Sequence, residues 1–142
     1  VRALLDINVL LALFDADHIH HALARDWLAA HIGAGWASCP TTQNGFVRIV
    51  CQPAYPKPLP PASAIALLRE ATGTPHHAFW PDDASILDGA RIDATRIHGP
   101  RQLTDVYLLA LAQAHGGCFV TFDRGVPVAA LRRAAARHLV VL

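Results

Sequence analysis

The chain is short of charge, of cysteine and of long apolar runs, and each shortage excludes something. Charged residues make up 16% of the 142 and hydrophobic residues 53%, a balance that argues against disorder and leaves apolar surface for self-association. No apolar stretch approaches the ~20 residues that span a bilayer, so no membrane helix is expected. Val1 to Leu5 run straight into an acid, without an h-region and cleavage site, so the expected address is cytoplasmic. Cys39, Cys51 and Cys118 are odd in number, widely spaced and set in apolar surroundings. That pattern argues against a disulfide framework or a zinc cluster and for core thiols. With no internal repeat or low-complexity segment, residues 1–142 are expected to form one domain with an ordinary core.

The basic side is equally lopsided, with eleven Arg to a single Lys, Lys57, and a net charge of only +1. Near-neutrality does not by itself advertise nucleic acid. The planar fork of Arg nevertheless suits phosphate, and Arg124, Arg132, Arg133 and Arg137 crowd toward the C-terminus. The plainer reading of that run is a solvated helix face.

Short β-type runs ending at a polar residue alternate with longer runs of helical spacing, which predicts an α/β fold on a parallel sheet. Strands are expected at Ala3–Leu5, Trp36–Ser38, His77–Trp80, Cys118–Phe122 and His138–Leu142. Helices are expected over Val9–Phe14, over His20–His31 with Leu23, Trp27 and Ala30 inward, and from Thr41 or Thr42 with Phe46, Val47 and Val50 on one side. Further helices are expected from Pro61 to about Gly73 with Ile65 and Leu68 inward, from Asp82 or Asp83 through Ala90, over Leu103–His115, and beyond Pro127. Five prolines make 52–61 a stiff connector.

Asp6 and Asp123 each follow an apolar strand directly, which places both at the carboxyl ends of a parallel sheet, where ligands bind. Asp105 follows Thr104, a natural N-cap, so its carboxylate belongs in the first turn of its helix. Each acid alone has a capping or turn role to explain it. Gathered at one edge, three carboxylates repel one another and call for a cation, and a hard ion such as Mg²⁺ or Mn²⁺ suits oxygen donors.

Leu4-Leu5-Asp6-Ile7-Asn8-Val9-Leu10, Leu103-Thr104-Asp105-Val106-Tyr107-Leu108-Leu109-Ala110 and Thr121-Phe122-Asp123-Arg124 resemble the acidic motifs of PIN domains. The likeness is closest to VapC-type toxins of bacterial toxin–antitoxin pairs and includes the helix start Cys39-Pro40-Thr41-Thr42-Gln43-Asn44-Gly45-Phe46-Val47-Arg48. The resemblance implies a three-layer α/β/α domain with a five-stranded parallel sheet. It also implies a Mg²⁺-dependent endoribonuclease for structured RNA, a homodimer, and a cognate antitoxin that covers the site. Asp6 and Asp105 then correspond to main metal ligands and Asp123 to a further acid. Asn8, Thr104, Thr121 and Arg124 correspond to supporting or substrate contacts. One position departs from the pattern: these toxins usually carry a Glu where Gln43 stands, and an amide offers a carbonyl oxygen without charge.

Other readings rank lower. A PIN-like module that grips RNA or antitoxin without cutting is the main alternative, given Gln43. A transition-metal site at His18, His20 and His21 with Asp15 and Asp17 lacks a fixed ligand spacing. Phosphatase and receiver folds also open with a strand ending in Asp, but they need a later Lys, and Lys57 sits in the proline connector.

Overall fold

The computed structural model describes residues 1–142 and contains five strands and five α-helices. The strands are β1 (Ala3–Leu5), β2 (Trp36–Ser38), β3 (His77–Phe79), β4 (Cys118–Thr121) and β5 (Leu139–Val141). All pair in parallel in the order β3-β2-β1-β4-β5, so β1 is central. The helices are α1 (Ile7–Phe14), α2 (His21–His31), α3 (Pro40–Val50), α4 (Pro61–Thr72) and α5 (Leu103–Ala114).

Strand alternation sorts the core into two layers. Leu4, Ala37 and Phe119 point to one face and pack with Val106, Leu108, Leu109 and Leu111 of α5. Ala3, Leu5, Trp36 and Val120 point to the other and pack under α1 to α4 through Val9, Leu10, Ala24, Phe46, Ala64 and Leu68. This is the expected three-layer arrangement, and burial on both faces explains why β1 is an unbroken apolar run and β4 is apolar through Val120. α3 crosses α1 closely at Gly45, where an added Cβ would collide with Ile7 Cδ1. Cys39 and Cys118 are buried and Cys51 half-buried, all as free thiols.

Several local expectations fail for identifiable reasons. α2 turns Ala24 inward and leaves Leu23 48% exposed, with Ala30 also outside; in α4, Ala64 and Leu68 are buried while Ile65 is 43% exposed. In both helices a small residue takes the close-packed seam and displaces the larger neighbour by one position. α3 begins at Pro40 rather than at Thr41 or Thr42, capped by Cys39, whose backbone N–H donates to Thr42 Oγ1 at 3.0 Å. α5 is capped by Gln102 after a 3-10 turn, so Thr104 lies exposed inside the first turn and is not the N-cap.

No helix forms between Asp82 and Ala90. Ser85 Oγ accepts from Leu87 N–H at 3.1 Å and Asp88 Oδ1 from Ala90 N–H at 3.0 Å, and these side-chain turns replace helical bonds. The α-helix expected beyond Pro127 is also absent; two 3-10 turns, Val128–Ala130 and Ala136–His138, stand in its place. The backbone there pairs with the 91–93 segment instead. Ile92 and Leu131 form an antiparallel bridge, Asp93 N–H donates to Ala130 O at 2.8 Å, and Arg132 N–H donates to Arg91 O at 2.9 Å.

Candidate active site

β1 and β4 are neighbours, so the residues that follow them meet at one sheet edge. Asp6 leaves β1 in an extended conformation and caps α1, its Oδ1 accepting from Ile7 N–H at 2.7 Å. Its Oδ2 accepts from Thr121 Oγ1 at 2.6 Å, across the strand pair. Thr121 is fully buried and fully used. Its single proton goes to Asp6, while its oxygen accepts from Asn8 Nδ2 at 3.2 Å and from Asp123 N–H at 3.0 Å. Asn8 Oδ1 in turn accepts from Phe122 N–H at 3.4 Å. One hydroxyl thus ties together the ends of β1, α1 and β4.

Asp123 is exposed, and its Oδ1 accepts from Gly125 N–H at 2.6 Å in the turn that follows β4. Asp105 projects from the first turn of α5. Burial, then the nearby charge of Asp6, then that of Asp123 and a hydrogen bond with it, push the Asp105 carboxyl up to about 7. Burial also lifts Asp6, opposed by the Thr121 and Ile7 hydrogen bonds and reinforced by Asp123. The three carboxylates therefore share one electrostatic field, although their side chains do not close into a three-ligand cage. Acidic oxygens that raise one another's pKa fit a hard divalent cation, which relieves the repulsion.

Two other expected site residues lie nearby in sequence but outside this hydrogen-bonded cluster. Thr104 is exposed, and Arg124, just after Asp123, is exposed and makes no ion pair. Gln43 is half-buried and belongs to a second polar chain. Its Nε2 donates to Ser38 Oγ at 2.9 Å, and Ser38 Oγ shares a 2.8 Å hydrogen bond with His77 Nε2. Burial holds the His77 imidazole below its ordinary value. The Gln43 carbonyl has no hydrogen-bond donor, and the side chain lines a cavity between α3 and α4.

Sequence reasoning missed Ser38 and Asp82. Ser38 ends β2 as a polar residue after an apolar strand, the signal already used for Asp6 and Asp123. Asp82 follows β3 by three residues and accepts from Thr41 Oγ1 at 2.8 Å. Burial, then Asp82, push the Tyr107 hydroxyl of α5 well above the usual phenol range, and that hydroxyl is buried without a hydrogen-bond partner.

A doubly wound parallel sheet with carboxylates from β1, β4 and α5 at one edge defines the class, and residues 3–132 match the PIN domain family. The chain belongs to that family. It is 55% identical to the ribonuclease VapC44 of Mycobacterium tuberculosis over the full length of both chains. It is 45% identical to ribonuclease VapC38 of the same species, with 92% of each chain covered, and 42% identical to ribonuclease VapC39, with 87% of this chain and 89% of that one covered. The crystal structure of M. tuberculosis VapC20, described as a sarcin-ricin loop cleaving toxin, superposes with a TM-score of 0.60 over 93% of this chain and 98% of that one. At 14% identity this last likeness concerns the fold.

Proposed function

We propose that the protein is a Mg²⁺-dependent endoribonuclease toxin of a toxin–antitoxin pair that cleaves structured RNA and so inhibits translation. The observation that carries this reading is Asp105, whose carboxyl is held near 7 by burial and by Asp6 and Asp123 together. Asp6, Asp105 and Asp123 would hold the ion, with Mn²⁺ as a substitute. Bound there, it would supply Lewis acidity toward the phosphate oxygens of a scissile phosphodiester.

The chain's own residues do the positioning. Thr121 fixes one oxygen of Asp6, and Asn8 holds Thr121 in the rotamer that makes this bond. Gly125 N–H takes Asp123 Oδ1, leaving Oδ2 as the available donor. Arg124, free of ion pairs beside Asp123, would meet a flanking phosphate, and Thr104 at the mouth of α5 would contact substrate. Gln43 would contribute its unengaged carbonyl oxygen as a neutral donor.

The reading includes an RNA substrate, a cognate antitoxin and a homodimer. Ile19, 88% exposed, and Leu23 stand at the start of α2 as apolar surface a partner would cover. Light scattering at micromolar concentration should report a dimer. The deciding test is cleavage of a structured RNA with Mg²⁺ and with EDTA. Metal-dependent scission supports the enzyme, while RNA or antitoxin binding with no scission in any divalent ion would establish a binding module instead.

A further inference from the structure

At the end of α5 far from Asp105, the structure opens a cavity of about 400 Å³ lined by Asp88, Arg91, Gln113, Arg133, Arg137 and His138. Three guanidiniums face one carboxylate, a net charge of +2 from these groups before His138 is counted. Arg91 is committed, its Nη1 donating to Gln113 Oε1 at 3.1 Å and its Nε lying 3.9 Å from Asp88 Oδ2. Arg132 is committed elsewhere, donating to Gly89 O at 2.8 Å and lying 3.8 Å from Asp93. Arg133 and Arg137 are exposed and have no carboxylate within 4.0 Å. His138 Nδ1 accepts from Ala135 N–H at 2.9 Å, which leaves Nε2 as the nitrogen that carries a proton.

We infer that this cavity is a second phosphate-binding site, in which Arg133 and Arg137 grip the phosphodiester backbone of the RNA away from the scissile bond. The inference rests on the ribonuclease reading of the acidic site. Two uncommitted guanidiniums beside a donor imidazole offer bidentate recognition of phosphate oxygens, and Arg91, propped by Gln113, adds fixed positive charge. Spacing supports one strand serving both places. Eight residues separate Asp105 from Gln113, about 12 Å at the helical rise, or roughly three to four phosphates at the ~3.4 Å rise of a duplex strand. The acidic edge repels RNA until its cation is bound, so a cationic anchor one helix length away gives the strand a hold that does not depend on the ion.

The test uses the full-length protein and a labelled structured RNA hairpin, with binding measured in EDTA from about 50 to 300 mM salt. Arg133→Ala/Arg137→Ala should raise Kd about tenfold at low salt and reduce the magnitude of the log–log salt slope by about 1 to 2. With Mg²⁺ present, the loss should appear in KM with kcat within about twofold, and Arg133→Lys/Arg137→Lys should recover most of the affinity. Unchanged Kd and salt slope overturn the inference, and so does unchanged RNA binding with weakened binding of an acidic protein partner. A wild type that binds RNA through these arginines but never cleaves it would refute the nuclease reading while leaving the phosphate site standing.

Discussion

The two ends of α5 treat charge in opposite ways. At its start, Asp105 sits with Asp6 and Asp123, and like charges are forced together by burial and held by hydrogen bonds to Thr121, Ile7 and Gly125. Beyond its last turn, Arg133 and Arg137 stand exposed around an open cavity with only Asp88 to offset them. A buried, mutually repelling acidic cluster suits a compact cation, and an open cationic rim suits a long polyanion. On the proposed reading, the difference separates chemistry from grip within one helix length.

The largest effect should come from removing a charge at the acidic end. Asp105→Asn keeps shape and should lower RNA cleavage by about 1000-fold, corresponding to several kcal/mol of lost electrostatic stabilisation, while leaving hairpin binding in EDTA unchanged or slightly tighter. Single-turnover cleavage and a filter-binding isotherm check both halves. Residual cleavage within tenfold of wild type would contradict the placement of Asp105 as a ligand.

Next in size is Thr121→Val, which takes the only proton donor from Asp6 Oδ2 and the acceptor from Asn8 and from Asp123 N–H. Loss of about 1–3 kcal/mol of stability is expected by urea unfolding, with a rise in the Mg²⁺ concentration needed for cleavage. A variant that is destabilised but keeps its metal dependence would make Thr121 structural only.

Gln43→Glu probes whether the α3 side belongs to the acidic end. A carboxylate there cannot donate to Ser38, and it must instead accept from the Ser38 hydroxyl, with His77 as the remaining partner. If Gln43 serves the ion, the Mg²⁺ requirement should fall several-fold and cleavage should rise. If it only bridges α3 to β2, the variant should lose about 1–3 kcal/mol with no catalytic change. The smallest effect expected is that of Arg132→Ala. Its guanidinium ties Gly89 and Asp93 together, so about 0.5–1 kcal/mol of stability should be lost with little change in RNA salt slope, in contrast to Arg133 and Arg137.

The acidic end was legible in the sequence because two rules act locally there. An apolar strand that stops at a polar residue sets that residue at the carboxyl edge of a parallel sheet, and an Asp in a helix's first turn points to the same edge. Asp6, Asp123 and Asp105 obey them, and so does Ser38, which the same rule would have supplied. The arginine end was not legible, because its formation depends on contacts remote in the chain. Residues 128–138 carry helix-forming alanines and arginines, yet Arg91 to Asp93 claim the backbone of 130–132 and prevent a helix, so the apparent helix face becomes the wall of a cavity. Leu68 and Trp27 face inward as expected, while Leu23 and Ile65 were misplaced by one residue for a related reason. Ala24 and Ala64 win the buried positions because close packing between layers favours small side chains over Leu23 and Ile65.

The most direct test of the central claim, that three aspartates repel one another to make room for a cation, is thermal unfolding against pH and Mg²⁺. The Asp105 carboxyl rises from an ordinary 3.8 to about 7 in the folded chain, so the folded state binds its proton more tightly than the unfolded state. Without metal, its contribution to stability should therefore fall as pH rises from about 4 to about 7, and the deficit should be complete above 7. Asp105→Asn should abolish that slope and raise Tm by about 3 °C at pH 7.5, on the order of 1 kcal/mol. Mg²⁺ should raise the wild-type Tm above pH 7, progressively less as Asp105 is protonated below it, and should leave Asp105→Asn nearly unmoved. A wild type whose Tm ignores Mg²⁺ at pH 7.5, or an Asp105→Asn variant that responds to Mg²⁺ as strongly as the wild type, would contradict the account.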